Sequence, residues 1–358
     1  MKNEARLRAP FPYFGGKTGA IEQTWQSLGA LQNYVEPFAG SAAMLLGAPD
    51  GDRIETINDA DGFVANFWRA VAHDPEGVAH AADWPVNEVD LFSRHSWLIR
   101  QQPELMRQLE ASPEYFCSKT AGWWCWGLCA WIGSGWCSGT GPWVHSGDKI
   151  ERLPGSAGVS RQLPHLGNAG QGINRNLPHL GDAGKGVNRK LPHLGNAGQG
   201  INKVTTAGRS AFIYGWMHQL SARLRDVRVC CGDWQRVVKD SVTHRNGLTG
   251  VFLDPPYTKG KMDYAAGGVG GDLANDVRAW CAANGTNNKL RIVLCGHAGE
   301  HDQLLALGWH IRAWQSKCGG GYSKTQDAQT NAIEETLWCS PACVPAKAAI
   351  QDLFEMAA

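Results

Sequence analysis

The sequence predicts an α/β fold built on a mostly parallel, doubly wound sheet, and three observations lead to it. Short apolar runs that end in glycine or acidic turns alternate with helical patterns over residues 1 to about 75. The same alternation resumes from about residue 211. Between them, from about 76 to 210, the texture changes to helix, tryptophan-rich and repetitive segments. Strands that alternate with helices pair in parallel, because each crossover returns the chain to the same edge. The expectation is therefore one α/β domain, 1–75 with 211–358, carrying a long insertion at 76–210.

Taken in order, Leu31 to Val35 reads as the first strand, Ile54 to Ile57 as the second, and Phe63 to Ala72 as a helix. A helical stretch from Glu88 to Glu110 opens the insertion, and a tryptophan- and cysteine-rich segment, Trp123 to Trp143, follows it. A tandem repeat over 163–204 comes next: Leu-Pro-His-Leu-Gly begins at Leu163, Leu177 and Leu191, with a decayed copy at Leu153. After it, Ser210 to Arg225 reads as a helix, and Val227 to Cys231, Gly250 to Leu253 and Arg291 to Cys295 as buried strands.

Composition narrows the class. Of 358 residues, 43% are hydrophobic and 19% charged, as in ordinary globular proteins. No run approaches the roughly 18 apolar residues that span a bilayer. The opening Met-Lys-Asn-Glu-Ala-Arg leads into no apolar leader, so no membrane partner and a cytoplasmic location are expected. In that setting the 11 cysteines read as reduced thiols. The net charge of +1 means that a polyanionic partner would need a local basic surface. No obligatory protein partner is evident.

The chemistry concentrates in four places. Asp254-Pro255-Pro256-Tyr257 follows the apolar run Val251-Phe252-Leu253, and so falls at the carboxyl end of a strand, where open α/β sheets bind ligands. An exocyclic amine on an aromatic ring is a poor nucleophile, because its lone pair is delocalised into the ring. A carboxylate and a backbone carbonyl held by stiff prolines can accept its two hydrogens, while a neighbouring ring stacks on a base turned out of a duplex. Asp254, the Pro255 carbonyl and Tyr257 supply those parts. An ordinary loop would also be rich in Asp-Pro and Pro-Pro, so the motif alone leaves both readings open.

The second place is Glu36-Pro37-Phe38-Ala39-Gly40-Ser41-Ala42, a glycine turn that lets a ligand approach the backbone. The third is Asn58-Asp59, about twenty residues further on at the end of the next strand, where an acid can accept from ribose hydroxyls. A plain strand-turn-helix with a capping Asp fits these two as well, and Ala42 stands where a fuller dinucleotide fingerprint would have a second glycine. The fourth is Pro10-Phe11-Pro12-Tyr13-Phe14-Gly15-Gly16-Lys17, a glycine pair and a lysine suited to an anion.

In this order the four places resemble the alpha-class, Dam-like N(6)-adenine DNA methyltransferases, including those carried by phages. Two further stretches extend the resemblance over roughly 9–75 and 211–345. Val229-Cys230-Cys231-Gly232-Asp233-Trp234 looks like the family's strand ending in an acid. Ile333-Glu334-Glu335-Thr336-Leu337-Trp338, after Gly308-Trp309, looks like its closing strands. The resemblance implies a Rossmann-like S-adenosylmethionine-dependent methyltransferase fold, with 76–210 as the target-recognition insertion. It implies cofactor contacts from Tyr13, Lys17, Phe38, Gly40, Asp59, Asp233 and Asp254, and catalysis by Asp254, Pro255, Pro256 and Tyr257. The cofactor would be S-adenosyl-L-methionine, the partner DNA, and no metal would be needed. Tyr13 stands where some relatives carry tryptophan. Cytosine-amine enzymes of this kind tend to carry serine at the position of Asp254, so adenine is the implied base.

The insertion holds the clearest basic region, with nine lysines and arginines against two acids over 149–210. Arg175, Arg189 and Lys203, which recur with the repeat, and Lys185 and Lys190 between them are candidate contacts to DNA phosphates. A tolerated loop lengthened by duplication is the plainer account of the same repeats. The tryptophans of 123–143 read better as the core of a small subdomain than as base-stacking groups. Cys117, Cys125, Cys129 and Cys137 lack the close Cys-x-x-Cys pairing of a zinc site. Two rival functions stay in view: a non-catalytic nucleic-acid-binding protein on the same fold, and a methyltransferase for RNA or for the cytosine amine. The intact Asp254 to Tyr257 set speaks against the first. Weak sequence specificity, as would suit a phage shielding its genome from restriction, fits a glycine-rich insert with few groups for base readout.

Overall fold

Along the central strands, successive apolar side chains point to opposite faces, and each face needs its own cover. The computed structural model describes residues 7–13, 17–131, 135–137, 143–146, 149–152, 208–257, 270–313 and 335–345. The chain passes through helix α1 (Ile21–Leu28), strand β1 (Asn33–Glu36), the one-turn helix α2 (Ala43–Leu46), strand β2 (Ile54–Asp59) and helix α3 (Gly62–His73). Helices α4 (Pro75–Ala82), α5 (Glu88–Ala111) and α6 (Ser118–Leu128) follow, then strands β3 (Trp143–Ser146) and β4 (Lys149–Arg152). After α7 (Arg209–Leu224) come β5 (Val227–Cys231), β6 (Thr249–Leu253), α8 (Gly270–Asn284), β7 (Leu290–His297), β8 (His310–Ala313) and β9 (Glu335–Cys339).

The main sheet has seven strands in the order β5-β2-β1-β6-β7-β9-β8. The first five are parallel, and β9 runs antiparallel to both β7 and β8. The order reverses direction between β1 and β6, which pair through Val35 and Val251. Such a reversal leaves a crevice beyond the carboxyl ends of the two strands, because their crossovers leave to opposite faces. This is an α/β architecture with a mostly parallel mixed sheet, compatible with a Rossmann-like fold.

Burial follows the strand period. Phe252, Val293 and Leu337 join one core, while Val251, Leu253, Ile292, Leu294 and Trp338 join the other. The first core takes the apolar sides of α1, α3, α4, α5, α6 and α7. The second is closed by α8 and the short turn of helix at Asp302–Leu307. Helix starts are set by side-chain caps that satisfy free amides. Asp61 accepts from Phe63 N at 2.8 Å, Asp74 from Gly77 N at 2.9 Å, and Asn87 from Asp90 N at 2.8 Å.

The expected elements are present with shifted ends. The first strand begins and ends later, at Asn33–Glu36, because Leu31 and Gln32 lead into it from the turn after α1. The second runs on through Asp59. The hairpin β3–β4 was not among the expected elements, although two short runs flanking Gly147-Asp148 carry its signal. The described part of the insertion does not stand apart: Trp124 of α6 packs on Phe11 and Phe67, inside the first core. Trp126 and Trp124 are buried there, Trp123 is half-buried, and Trp84 is exposed. Among the described residues no helix is long and apolar enough to cross a membrane.

Candidate active site

Three strand ends and Lys17 meet at one edge of the sheet. β6 ends in Asp254 and its two prolines, which lack N–H groups and hold φ, so the carboxylate stands on a stiff turn. β7 ends at His297 on one side, paired with Glu335. Because β9 runs the opposite way, its amino end, Glu335, arrives at the same edge as the carboxyl ends of β6 and β7. Lys17 reaches this edge from the start of the chain.

The resulting cluster is tightly linked. Lys17 Nζ lies 3.2 Å from Asp254 Oδ2 and 3.3 Å from Glu335 Oε1. It also sits 5.0 Å from the centre of the Tyr257 ring. Tyr257 OH donates to Asp254 Oδ1 at 3.1 Å, and His297 meets the same ring edge-on at 4.6 Å. Burial alone would lower the Lys17 ammonium, but the charges of Asp254 and Glu335 outweigh it and hold the group above the ordinary lysine range. Burial, then the Asp254 charge, pushes the Tyr257 phenol well up, so it stays a neutral donor at physiological pH. Burial also raises Glu335, against the opposing pull of Lys17.

A second constellation lies at β1, β2 and β5. The turn after β1 places Gly40 at φ +47° and Ala42 at φ +49°, both left-handed. At Ala42 this is unusual, since the Cβ of a non-glycine residue crowds the backbone there. Gly40 N–H donates to Asp59 Oδ2 at 2.8 Å, and Asp61 N–H donates to Asp59 Oδ1 at 2.8 Å. The Tyr13 ring lies against Gly40 so closely that a Cβ there would fall 2.5 Å from Tyr13 Cε1. Trp68 Nε1 donates to the Gly40 carbonyl at 2.9 Å. Asn58 donates to the carbonyls of Pro37 and Gly232, both at 3.0 Å, and so ties three strand ends together. Asp59 is half-buried as a residue, yet desolvation of its carboxyl, with the Asp61 charge second, pushes it up to about 7. Glu36, wholly buried, is pushed up to about 8, mainly by burial and against the hydrogen bonds from Tyr34 and Leu45.

The expected site residues thus fall into two groups on one edge. Asp254, Pro255, Pro256, Tyr257 and Lys17 form one; Tyr13, Gly40 and Asp59 form the other. Phe38 is half-buried and packs at 5.9 Å on Trp234, while Asp233 is exposed and caps the turn after β5 through Gln235 N at 2.7 Å. Phe14, Gly15 and Gly16 lie outside the described residues, as do the repeats with Arg175, Lys185, Arg189, Lys190 and Lys203. Lys17 pairs with Asp254 and Glu335, a role that the bare Gly-Gly-Lys pattern did not indicate. Glu335, His297, Asn58 and Trp68 also had no assigned role. Glu335 is 318 residues from Lys17, and an acid opening a buried strand was the sole sequence signal for it.

The first group can hold an amine: a carboxylate kept in place from two sides beside a neutral phenol ring and a stiff carbonyl. The second can hold a nucleoside: the Asp59 carboxylate, with amides on both oxygens, has lone pairs left for a ribose hydroxyl. The left-handed turn holds Gly40 directly under the Tyr13 ring, with its amide on Asp59 and its carbonyl on Trp68. Among the described residues no cluster of three or more His, Cys, Asp or Glu could hold a metal ion. Cys129 donates to the Pro10 carbonyl and Cys117 accepts from Thr120. No protein-family model matches the chain, and no curated protein matches it.

Proposed function

We propose that this chain is a DNA methyltransferase that transfers a methyl group from S-adenosylmethionine to the exocyclic amine of adenine. One observation carries the reading: Asp254, on its proline-stiffened turn at the switch between β1 and β6, is held by Lys17 on one oxygen and Tyr257 on the other. The constellation around Gly40 and Asp59 lies at the end of the adjacent strands, and that proximity supports it.

When bound, S-adenosylmethionine supplies an already activated methyl sulfonium, so positioning matters more than acid-base work. Asp59 would hold the ribose, Tyr13 and Gly40 the neighbouring part of the cofactor, and Phe38 and Asp233 the outer wall. Asp254 and the Pro255 carbonyl would accept the two amine hydrogens and bring the nitrogen lone pair out of conjugation. Tyr257 would stack on the base, and its phenol, kept neutral, would steady Asp254. Lys17 would hold that carboxylate in place, and Glu335 would hold Lys17. The basic residues Arg175, Lys185, Arg189, Lys190 and Lys203 would neutralise DNA phosphates.

The test is methylation of mixed-sequence DNA with labelled cofactor, followed by mapping of the modified base. The parent is expected to label adenine, and Asp254→Ala to lose about a hundredfold or more in rate with its melting curve retained, as when one group that stabilises developing charge is removed. A folded Asp254→Ala protein that labels DNA as fast as the parent would defeat the reading.

A further inference from the structure

A cleft of about 820 Å³ opens between α4, α5 and α6, and none of the residues discussed as catalytic lines it. Its lining combines the rings of Trp84, Trp97 and Trp123 with the cations of Arg94, Arg100 and Lys119. Arg94 is the unusual member. It is 6% exposed, and its guanidinium carbon lies 4.8 Å from the Trp84 ring, 4.7 Å from Trp123 and 4.4 Å from Trp126. Its Nη1 is buried and meets no acceptor among the described residues. The acid in the lining, Asp90, accepts from Trp84 Nε1 and Asn87 Nδ2 at 2.6 Å each, and its charge acts on Arg94 without outweighing the effect of burial. Burial lowers the Arg94 guanidinium to about 10, which leaves it charged at neutral pH.

A desolvated cation with an unused donor is unfavourable unless an anion meets it. The planar fork of arginine matches the oxygens of a phosphate better than a lysine point charge does. Lys119, 4.7 Å from the Trp97 ring and 4.5 Å from the Trp123 ring, brings a second, exposed cation to the same wall. Flat indole rings beside such cations suit a nucleobase, which stacks on tryptophan whatever its sequence. The volume falls in the range of small-ligand pockets, roughly 300 to 1,000 Å³. From these we infer that the cleft is a nucleotide-binding site, taking a phosphate on Arg94 and Lys119 and a base against the tryptophan wall. The ligand is either a free nucleotide or one unit of a DNA strand. The assignment does not rest on methyl transfer, and the two can fail separately.

The test uses the full-length protein and measures binding alone. Labelled dTMP is followed by equilibrium dialysis, with thymidine and inorganic phosphate as competitors, and a labelled oligothymidylate of about ten nucleotides by anisotropy. The expected result is saturable dTMP binding in which thymidine or phosphate alone competes at least tenfold more weakly. Lys119→Ala, which alters an exposed side chain, and Arg94→Lys, which keeps the charge but loses the fork, should each weaken it about tenfold. Asp254→Ala should leave it unchanged. Oligonucleotide affinity that falls in parallel identifies the ligand as a strand; affinity that does not fall identifies a free nucleotide. If neither ligand responds to Lys119→Ala, or phosphate alone binds as tightly as dTMP, the inference is wrong.

Discussion

Asp59 accepts from backbone amides, among them those of Gly40 and Asp61, yet desolvation and the neighbouring Asp61 charge outweigh those hydrogen bonds and push its carboxyl up to about 7. That balance has a consequence for ligand binding. A ribose hydroxyl donates to the ionised form, so binding favours the carboxylate and lowers its pKa below the free value. The free protein then carries a proton that must leave on binding at pH 6, and does not at pH 8. On the proposed function, affinity for S-adenosylmethionine should therefore rise with pH, about tenfold from 6 to 8, and level off above that. Calorimetric titrations at three pH values, in two buffers of different ionisation enthalpy, would count the released proton. A flat profile, or the same slope in Asp59→Asn, would count against the role of this carboxyl.

The turn between β1 and α2 works as an element because its backbone is bent into the left-handed region at two positions. At Gly40 the bend brings the amide to Asp59 and the carbonyl to Trp68, and leaves no room for a side chain under Tyr13. Gly40→Ala would meet a left-handed backbone cost of about 1 to 2 kcal/mol and would also force the Tyr13 ring away. The expected outcome is a lower melting temperature together with a loss of cofactor affinity of about tenfold or more. Calorimetry of both would separate this from a purely structural effect, which would lower the melting temperature alone. The same reasoning explains why Ala42 can stand in place of a second glycine: its Cβ is buried in the first core, where packing offsets part of the strain.

At the scale of the whole molecule, the described helices of the insertion and the sheet share one core. Trp126 of α6 is wholly buried, donates to the Trp84 carbonyl at 2.9 Å, lies 4.4 Å from the Arg94 guanidinium of α5, and belongs to the same core as side chains of α3 and α4. Truncating a buried tryptophan costs about 3 to 5 kcal/mol, a large part of the 5 to 15 kcal/mol typical of a folded protein. If the core is continuous, Trp126→Ala should lower the melting temperature of sheet and helices together, in a single transition followed by both far- and near-ultraviolet dichroism. Two resolved transitions, with the sheet unmoved, would mean that α4 to α6 fold on their own.

What the sequence determined by itself was local: the strand and helix alternation, the glycine turn, the acid at the end of β2, and the Asp-Pro-Pro-Tyr after β6. Each is readable because side-chain period and turn chemistry act over a few neighbouring residues. What only the tertiary structure decided was which charges meet. Lys17, Asp254 and Glu335 lie far apart in the chain, and they converge because the last strand runs backwards and delivers its first residue to the edge where the parallel strands end. Sequence spacing carries no trace of that reversal. The unpartnered Arg94 was hidden for the same reason, since its aromatic neighbours come from α6 and from the segment between α4 and α5.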